Sequence, residues 1–189
     1  MSLQVLHLDF ISLSPIAGPD GRKQLLEAAA QLSVLPQVQS LGAIEADAEP
    51  GSDFDIVFYF LLPEFSALET FGTDSRYAGF LQRAVAPRLK AFAGADVRLE
   101  DDFALSGTEA ACLALMAPEE TYDWEVREAL QGWCDSAAGS SSVVGLAVGE
   151  KQMYRGAALA FGAARIAAER PEASRFRSTL IAGTVRTLA

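Results

Sequence analysis

The order of predicted strands and helices constrains the fold of this chain more than any single motif does. Alternating or continuous apolar residues predict strands, and apolar residues three or four positions apart predict helices. In the first half these patterns give a strand, a helix, two strands, a helical region and a closing strand. Their predicted bounds are Val5–Leu13, Arg22–Leu35, Val38–Ala46, Phe54–Leu62, Pro63–Phe71 with Ser75–Phe92, and Asp96–Phe103.

The second half repeats this order with a less regular sequence. Its predicted elements are Ala110–Met116, Tyr122–Ala137, Val143–Val148, Gly156–Ala163, Arg165–Ala182 and Thr184–Leu188. The closing strands also contain short similar sequences, Ala93–Arg98 and Ala182–Arg186. The element order is the split βαβ arrangement of ferredoxin-like folds. We therefore predict an α+β protein of two ferredoxin-like β-α-β-β-α-β units, residues 1–104 and 105–189.

The two faces of the predicted strands differ in polarity. In the first strand Leu6, Leu8 and Phe10 point one way, and Val5, His7, Asp9 and Ile11 point the other. In the third, the two sets are Phe54, Ile56, Phe58 and Phe60, and Asp55, Val57, Tyr59 and Leu61. We expect the wholly apolar sets to lie under the helices and the mixed sets to form the other sheet face.

That second face is still too apolar to face water. Two units in one chain could cover each other, with their antiparallel sheets packed as an intrachain pseudo-dimeric α/β barrel. His7, Asp9, Asp55 and Tyr59 would then lie inside the barrel or at its rim. A cavity with apolar walls and a few polar groups is the usual form of a small-molecule site.

Composition argues against several classes of partner. The net charge of −10 disfavours nucleic acid. No apolar run approaches the roughly 20 residues of a membrane span, so we expect no membrane association. The first residues also lack a secretory signal, which favours a cytoplasmic location. Three basic residues, Arg170, Arg175 and Arg177, form either an ordinary solvated surface or a local anion site.

The sequence contains few residues suited to metal or nucleophilic chemistry. It has one histidine, His7, and two cysteines, Cys112 and Cys134, which we expect to be buried free thiols. This leaves too few ligands for a zinc cluster and makes any triad depend on His7. The sequence also has no phosphate-binding glycine loop or dinucleotide fingerprint. We therefore predict no cofactor and no metal.

The candidate site residues lie in the first half. His7 and Asp9 are two apart on one side of a strand, where a carboxylate could orient an imidazole acting as a general base. The alternative is a structural histidine in the barrel seam. Tyr59, Tyr77 and Asp55 are candidate ligand-binding residues, and the tyrosines could donate hydrogen bonds to a carbonyl or phenol; the alternative for them is the core or the rim.

The first half resembles the stress-responsive A/B barrel domains of the dimeric α/β-barrel superfamily, and the match spans roughly residues 3–103. The second half resembles a diverged copy. The segments that carry the likeness are Val5–Leu8, Leu35–Leu41, Phe54–Phe60, Leu68–Phe71, Ser75–Phe80 and Val97–Phe103. Family members usually dimerise face to face, so the resemblance implies that here the two halves do so within one chain, with a further homodimer possible.

The resemblance also suggests where chemistry would be located. Cyclase-like members use a tyrosine followed by a His-Pro-x-His stretch. Here Phe71 stands at the tyrosine, Asp74–Tyr77 replaces the stretch with Tyr77 at the acid/base histidine, and Arg170–Ala173 is its remnant in the second half. His7 matches the histidine of the family's first strand. Other related barrels are haem-degrading enzymes.

Two functions therefore stay open, and whether the protein is an enzyme is undecided. The first is a stress-responsive A/B barrel protein of unassigned activity that holds a small hydrophobic molecule between its two sheets. The alternative is a cofactor-independent isomerase, cyclase or monooxygenase acting on a small aromatic or polyketide-like substrate, with His7 as base.

Overall fold

In the computed structural model, eight antiparallel strands form a closed barrel with helices on its outside. The structure describes residues 3–46, 52–99, 107–137, 141–148, 152–162 and 176–188. The strands are β1 (Val5–Leu13), β2 (Ser40–Ala46), β3 (Ile56–Leu62), β4 (Leu89–Leu99), β5 (Glu109–Met116), β6 (Ser141–Ala147), β7 (Gly156–Phe161) and β8 (Arg177–Thr187). The α-helices are α1 (Gly21–Ala30), α2 (Phe65–Thr73), α3 (Ser75–Phe80) and α4 (Asp123–Ser136).

Neighbouring strands around the barrel follow the order β1-β3-β2-β8-β5-β7-β6-β4. The strands of the first half are therefore arranged as β4-β1-β3-β2, and those of the second as β8-β5-β7-β6. The halves are joined edge to edge, β2 to β8 and β4 to β6. Because the barrel closes, each strand has a partner on both sides.

Apolar side chains form separate layers inside and outside the barrel. The interior cluster contains Leu6, Leu8, Phe10, Tyr59 and Tyr154 together with many alanines. A second cluster lies between the first-half strands and α1 to α3, and a third lies under α4. Cys112 and Cys134 are buried free thiols, as predicted.

The interior accommodates a large aromatic side chain opposite a glycine. Gly42 of β2 pairs with Tyr59 of β3, and a Cβ on Gly42 would collide with the Tyr59 phenol. Glycine at this position therefore gives the ring its space, a common role for glycine within strands.

The predicted faces are correct for most of β3 and wrong for β1. Ile56, Phe58 and Phe60 lie under the helices, as predicted, but Leu6, Leu8 and Phe10 face the barrel interior. The pairing register explains the error, since His7 pairs with Phe60 and Leu8 with Tyr59. Directly paired residues share a face. His7 and Asp9 therefore lie on the helix-covered side, and Phe54 packs on the interior side.

Several predicted helix bounds are also wrong. The first helix ends at Ala30, although Leu32 and Leu35 beyond it remain buried. The helical region predicted as Ser75–Phe92 comprises α3, a π-helical segment (Leu81–Val85) and one 3-10 turn (Ala86–Arg88), after which β4 begins at Leu89. Pro87 has no backbone N–H to continue the helix.

The last strand begins at Arg177, inside the segment predicted to be helical, because its residues pair with β5 up to Met116. The remainder of that predicted helix, including Arg170 and Arg175, lies outside the described residues. Arg177 itself is exposed.

Candidate functional site

Three strand positions bring acidic and basic side chains together on the helix-covered face of the first half. His7 and Asp9 are on β1, and His7 pairs across the sheet with Asp96 of β4. Tyr77 of α3 reaches down to the same point from the helix layer. The sequence pointed to His7, Asp9 and Tyr77, but not to Asp96.

These four side chains form a chain of close contacts, which we call the His7 cluster. His7 Nδ1 lies 2.5 Å from Asp96 Oδ1, and His7 Nε2 lies 2.8 Å from the Tyr77 hydroxyl. The Tyr77 hydroxyl donates to Asp9 Oδ2 at 2.9 Å. His7 Nε2 is also 3.2 Å from Asp9 Oδ1.

The directions of these hydrogen bonds determine the protonation of His7. The single hydroxyl proton of Tyr77 goes to Asp9, so Nε2 must donate to the Tyr77 oxygen. Nδ1 faces a carboxylate and must donate as well. Both ring nitrogens of a histidine carry protons only in the imidazolium form.

The electrostatics of the cluster agree with an imidazolium. Burial lowers the pKa of His7, but the carboxylates of Asp9 and Asp96 outweigh it and raise the pKa to about 10. Burial, followed by the charge of Asp9, raises the pKa of Tyr77 well above its usual range. At neutral pH, therefore, His7 is charged and Tyr77 is neutral.

Aromatic rings enclose the imidazolium on the helix side. The His7 ring centroid lies 5.7 Å from that of Phe60, 5.2 Å from Phe71 and 5.6 Å from Tyr77. The His7 side chain is 13% exposed, that of Asp96 is 23% exposed and that of Asp9 is fully buried. Solvent thus reaches the cluster from the Asp96 end.

One oxygen of the cluster has an incomplete set of partners. Asp9 Oδ1 is buried and accepts no hydrogen bond, although it lies within ion-pair distance of His7. A buried carboxylate oxygen without a hydrogen bond requires an explanation, and a catalytic role is one.

One residue of the second half hydrogen-bonds to the His7 cluster. Gln152, between β6 and β7, accepts from the Asp96 backbone N–H at 2.9 Å and donates to Asp96 Oδ2 at 3.1 Å. Its side chain is fixed by a further bond, 2.7 Å, to the Val148 carbonyl. No sequence signal indicated Gln152, because nothing local to this loop shows which strand it meets.

Equivalent strand positions in the second half are apolar. There Ala111 of β5 pairs with Ala182 of β8, at the places that correspond to His7 and Asp96 when the matching backbone hydrogen bonds of the two halves are aligned. Both alanines pack in the apolar cluster under α4, and Leu113, at the place of Asp9, is buried there too. All four side chains of the His7 cluster therefore come from the first half, where the candidate site residues were predicted to lie.

The other two predicted ligand-binding residues lie elsewhere. Tyr59 is buried in the barrel interior, where burial raises its pKa to about 12. Asp55 accepts a hydrogen bond from the Leu13 backbone N–H at 2.7 Å and pairs with Arg22 at 3.3 Å. Neither joins the His7 cluster, so the expectation that these two residues share one face with His7 and Asp9 is wrong.

A groove of about 540 Å³ lies outside the barrel, between the layer of α1 and that of α3. We call it the α1–α3 groove. Apolar groups form much of its wall, and three arginines and two glutamines border it. Its lining includes Ala28, Leu32, Phe80 and Ala84, with Gln24, Gln31, Arg76, Arg83 and Arg88.

Among the described residues, no group of three or more histidine, cysteine and acidic side chains is placed to hold a metal ion. His7 itself has no free lone pair while both ring nitrogens are protonated, so in this state it cannot ligate a metal ion. In the same described ranges, no helix has the length and apolarity needed to cross a membrane.

The barrel and its helix layers define the class to which this chain is similar, the ferredoxin-like α/β barrels. A monooxygenase-like protein of Fusobacterium nucleatum has a TM-score of 0.60 at 9% identity, covering 100% of this chain and 94% of its own. A variant chlorite dismutase of Candidatus Nitrospira defluvii has a TM-score of 0.59 at 13% identity, covering 100% and 93%.

A ferredoxin-like DABB family protein of Mesorhizobium loti has a TM-score of 0.45 at 16% identity and covers 56% of this chain and 100% of its own. No protein-family model matches the chain, and no curated protein matches it. At these identities the likeness shows the fold alone.

Proposed function

We propose that this chain is a tandem A/B barrel protein that binds a small, largely apolar molecule on the helix-covered side of its first half. The observation that carries the proposal is the α1–α3 groove, whose volume of about 540 Å³ lies within the usual range of small-molecule sites. Its wall includes Leu32 and Phe80, and Val34 at its edge is 71% exposed.

This location differs from the one predicted from sequence. The space between the two sheets is occupied by a buried cluster that includes Phe10, Tyr59 and Tyr154. The large side chains of β1 point into this space, which favours a site outside the barrel over the predicted one between the sheets. The groove is lined by α1 and the α3 region instead.

The tandem part of the proposal, with units at residues 1–104 and 105–189, rests on two parallels. Both halves have the same strand order around the barrel. Each half also sends the segment between its second and third strands onto the last strand of the other. Asp53 N donates to the Leu180 carbonyl at 2.8 Å, and Val148 N donates to the Asp96 carbonyl at 2.9 Å.

Native mass spectrometry of protein purified from its own cells tests the binding function. We expect a retained small molecule on the wild-type chain and its loss from Ala28→Phe, which places a ring in the groove at a partly buried helix position. Matching melting temperatures would show that the variant is folded. A wild-type protein without bound mass, or equal retention by the variant, would contradict the proposal.

A second candidate, a cofactor-independent isomerase, cyclase or monooxygenase, is favoured by the state of Asp9. Because His7 already holds both protons, it cannot act as a base at neutral pH, whereas Asp9 Oδ1 has no hydrogen bond and could accept a proton. A panel of β-keto acids and hydroxyaromatics, followed by mass spectrometry, tests it. Turnover that is lost in Asp9→Asn and kept in Asp55→Asn would support it, and no turnover by the wild type would reject it.

A further inference from the structure

The α1–α3 groove has several positively charged side chains beside its apolar walls. Three arginines border it, Arg76, Arg83 and Arg88, and its described lining contains no acidic residue. This is unusual in a chain whose net charge is −10. The charged residues of the lining are therefore all basic, whereas the protein as a whole is acidic.

Two of these arginines already have partners within the protein. Arg76 forms a salt bridge with Asp74 at 2.9 Å. Arg88 donates to the Ala84 carbonyl at 2.9 Å and to the Gln24 side chain at 2.5 Å. Asp74 thus balances the charge of Arg76, and donors of Arg88 are held by two neutral groups of the groove walls.

Arg83 is different from the other two. Within the described part of the chain, no hydrogen bond or ion pair engages its guanidinium. The guanidinium rests over Gly79 of α3, where any Cβ would collide with it. Glycine at this position therefore lets the cation lie against the helix, within the lining of the groove.

Arg83 also lies on an irregular part of the backbone. It belongs to the π-helical segment Leu81–Val85, which follows α3 directly. Single π-helical turns are rare and are frequently found at functional sites. Arg83 is therefore outside regular α-helical spacing relative to α3, and its side chain lines the groove.

We propose that the α1–α3 groove selects an organic anion with one acidic group and an apolar body, with Arg83 binding the acidic group. This inference rests on the proposed binding function and names the chemical class of its ligand. An apolar body would cover Leu32, Phe80 and Ala84, and a carboxylate would take the bidentate donors of the guanidinium. Nucleic acids and other polyanions would be repelled by the net charge.

Calorimetric titration with octanoate and with its neutral amide, octanamide, tests the selection. At low ionic strength we expect the full-length protein to bind octanoate at least about fivefold more tightly than octanamide. Arg83→Gln should abolish this preference by weakening octanoate binding. Lys90→Gln removes an exposed cation outside the groove lining and should keep the preference.

The outcomes separate this inference from the function on which it rests. Equal binding of the two compounds by the wild type, or an undiminished preference in Arg83→Gln, would overturn the anion proposal while leaving a binding groove. Absence of binding by either compound, or binding that Ala28→Phe does not weaken, would overturn both. A preference that survives in Lys90→Gln and disappears in Arg83→Gln supports both.

Discussion

At the scale of single residues, the protein holds its one histidine as a buried imidazolium between two carboxylates. The attraction of Asp9 and Asp96 outweighs the cost of burial, and Tyr77 links Nε2 to the second carboxylate. Removing one partner from such a cluster leaves an uncompensated buried charge. The structural alternative for His7 is thus better supported than a role as a general base.

His7→Gln should destabilise the folded state by about 3 kcal/mol near pH 6, since it leaves the buried Asp9 without its counter-charge. The difference between wild type and variant should shrink as the pH rises. Below pH 6.5 His7 is protonated in both folded and unfolded chains, and its contribution is fully present. Between pH 6.5 and about 10 only the folded chain keeps the proton, so that contribution is progressively lost.

Urea unfolding of the two proteins at pH 6 and pH 9 measures this difference. A destabilisation that stays constant or grows between these pH values would contradict the raised pKa. The NMR signal of the single imidazole gives an independent reading, because no other histidine overlaps it. It should keep imidazolium shifts from pH 6 to pH 8, whereas a midpoint near 6.5 would contradict the cluster.

The sequence contained enough information for part of this site. His7 and Asp9 were identified from their spacing on one strand, and Tyr77 from its place in the resemblance. Asp96 could have been found from the alternation of Ala93, Ala95, Val97 and Leu99, which predicts a strand with Asp96 on its opposite face. Tyr59 and Asp55 were wrongly grouped because the pairing register is not local information.

At the scale of secondary structure, two segments between strands form hydrogen bonds that connect the halves. Gln152 hydrogen-bonds to both the backbone N–H and the side chain of Asp96 on β4. On the opposite side, Asp53 Oδ2 accepts from the Leu180 backbone N–H of β8 at 2.9 Å. These contacts lie at the two seams of the barrel, and only the first of them touches the His7 cluster.

Gln152→Ala and Asp53→Ala form a matched pair for this arrangement. Each removes side-chain hydrogen bonds across one seam and should lower the free energy of unfolding by about 1–2 kcal/mol. Only Gln152→Ala should also move the His7 NMR signal, because Gln152 positions Asp96. Equal shifts of that signal in the two variants, or none in Gln152→Ala, would show that Gln152 does not position the cluster.

Predictability from sequence also varied among the elements. The strands β1, β3 and β5 follow from long apolar runs, and α4 follows from the spacing of Val126, Leu130 and Trp133. The end of the helical region before β4 was missed because the helical periodicity continues to Phe92. The start of β8 was missed because residues that pair with β5 lie in a stretch whose composition also suits a helix.

At the scale of the whole molecule, we expect the two halves of the closed barrel to unfold as one cooperative unit. β2 pairs with β8 and β4 with β6, so neither half can lose its sheet without opening the barrel of the other. The chain carries convenient reporters of this coupling. Both tryptophans, Trp124 and Trp133, are in the second half, and His7 is in the first.

Tryptophan fluorescence and the His7 NMR signal should therefore report the same urea midpoint. Leu113→Ala, which opens a cavity under α4, should lower the free energy of unfolding by about 2–4 kcal/mol. Both signals should then show the same decrease in urea midpoint. Two separate transitions, or a shift confined to the tryptophan signal, would mean that the halves unfold independently.

We propose that the ligand binds on the helix-covered side of the first half and not between the sheets. A crystal structure of the protein with octanoate would locate it. We expect electron density for the alkyl chain between Leu32 and Phe80, with the carboxylate beside Arg83. Density inside the barrel next to Tyr59, or against the His7 cluster, would contradict it.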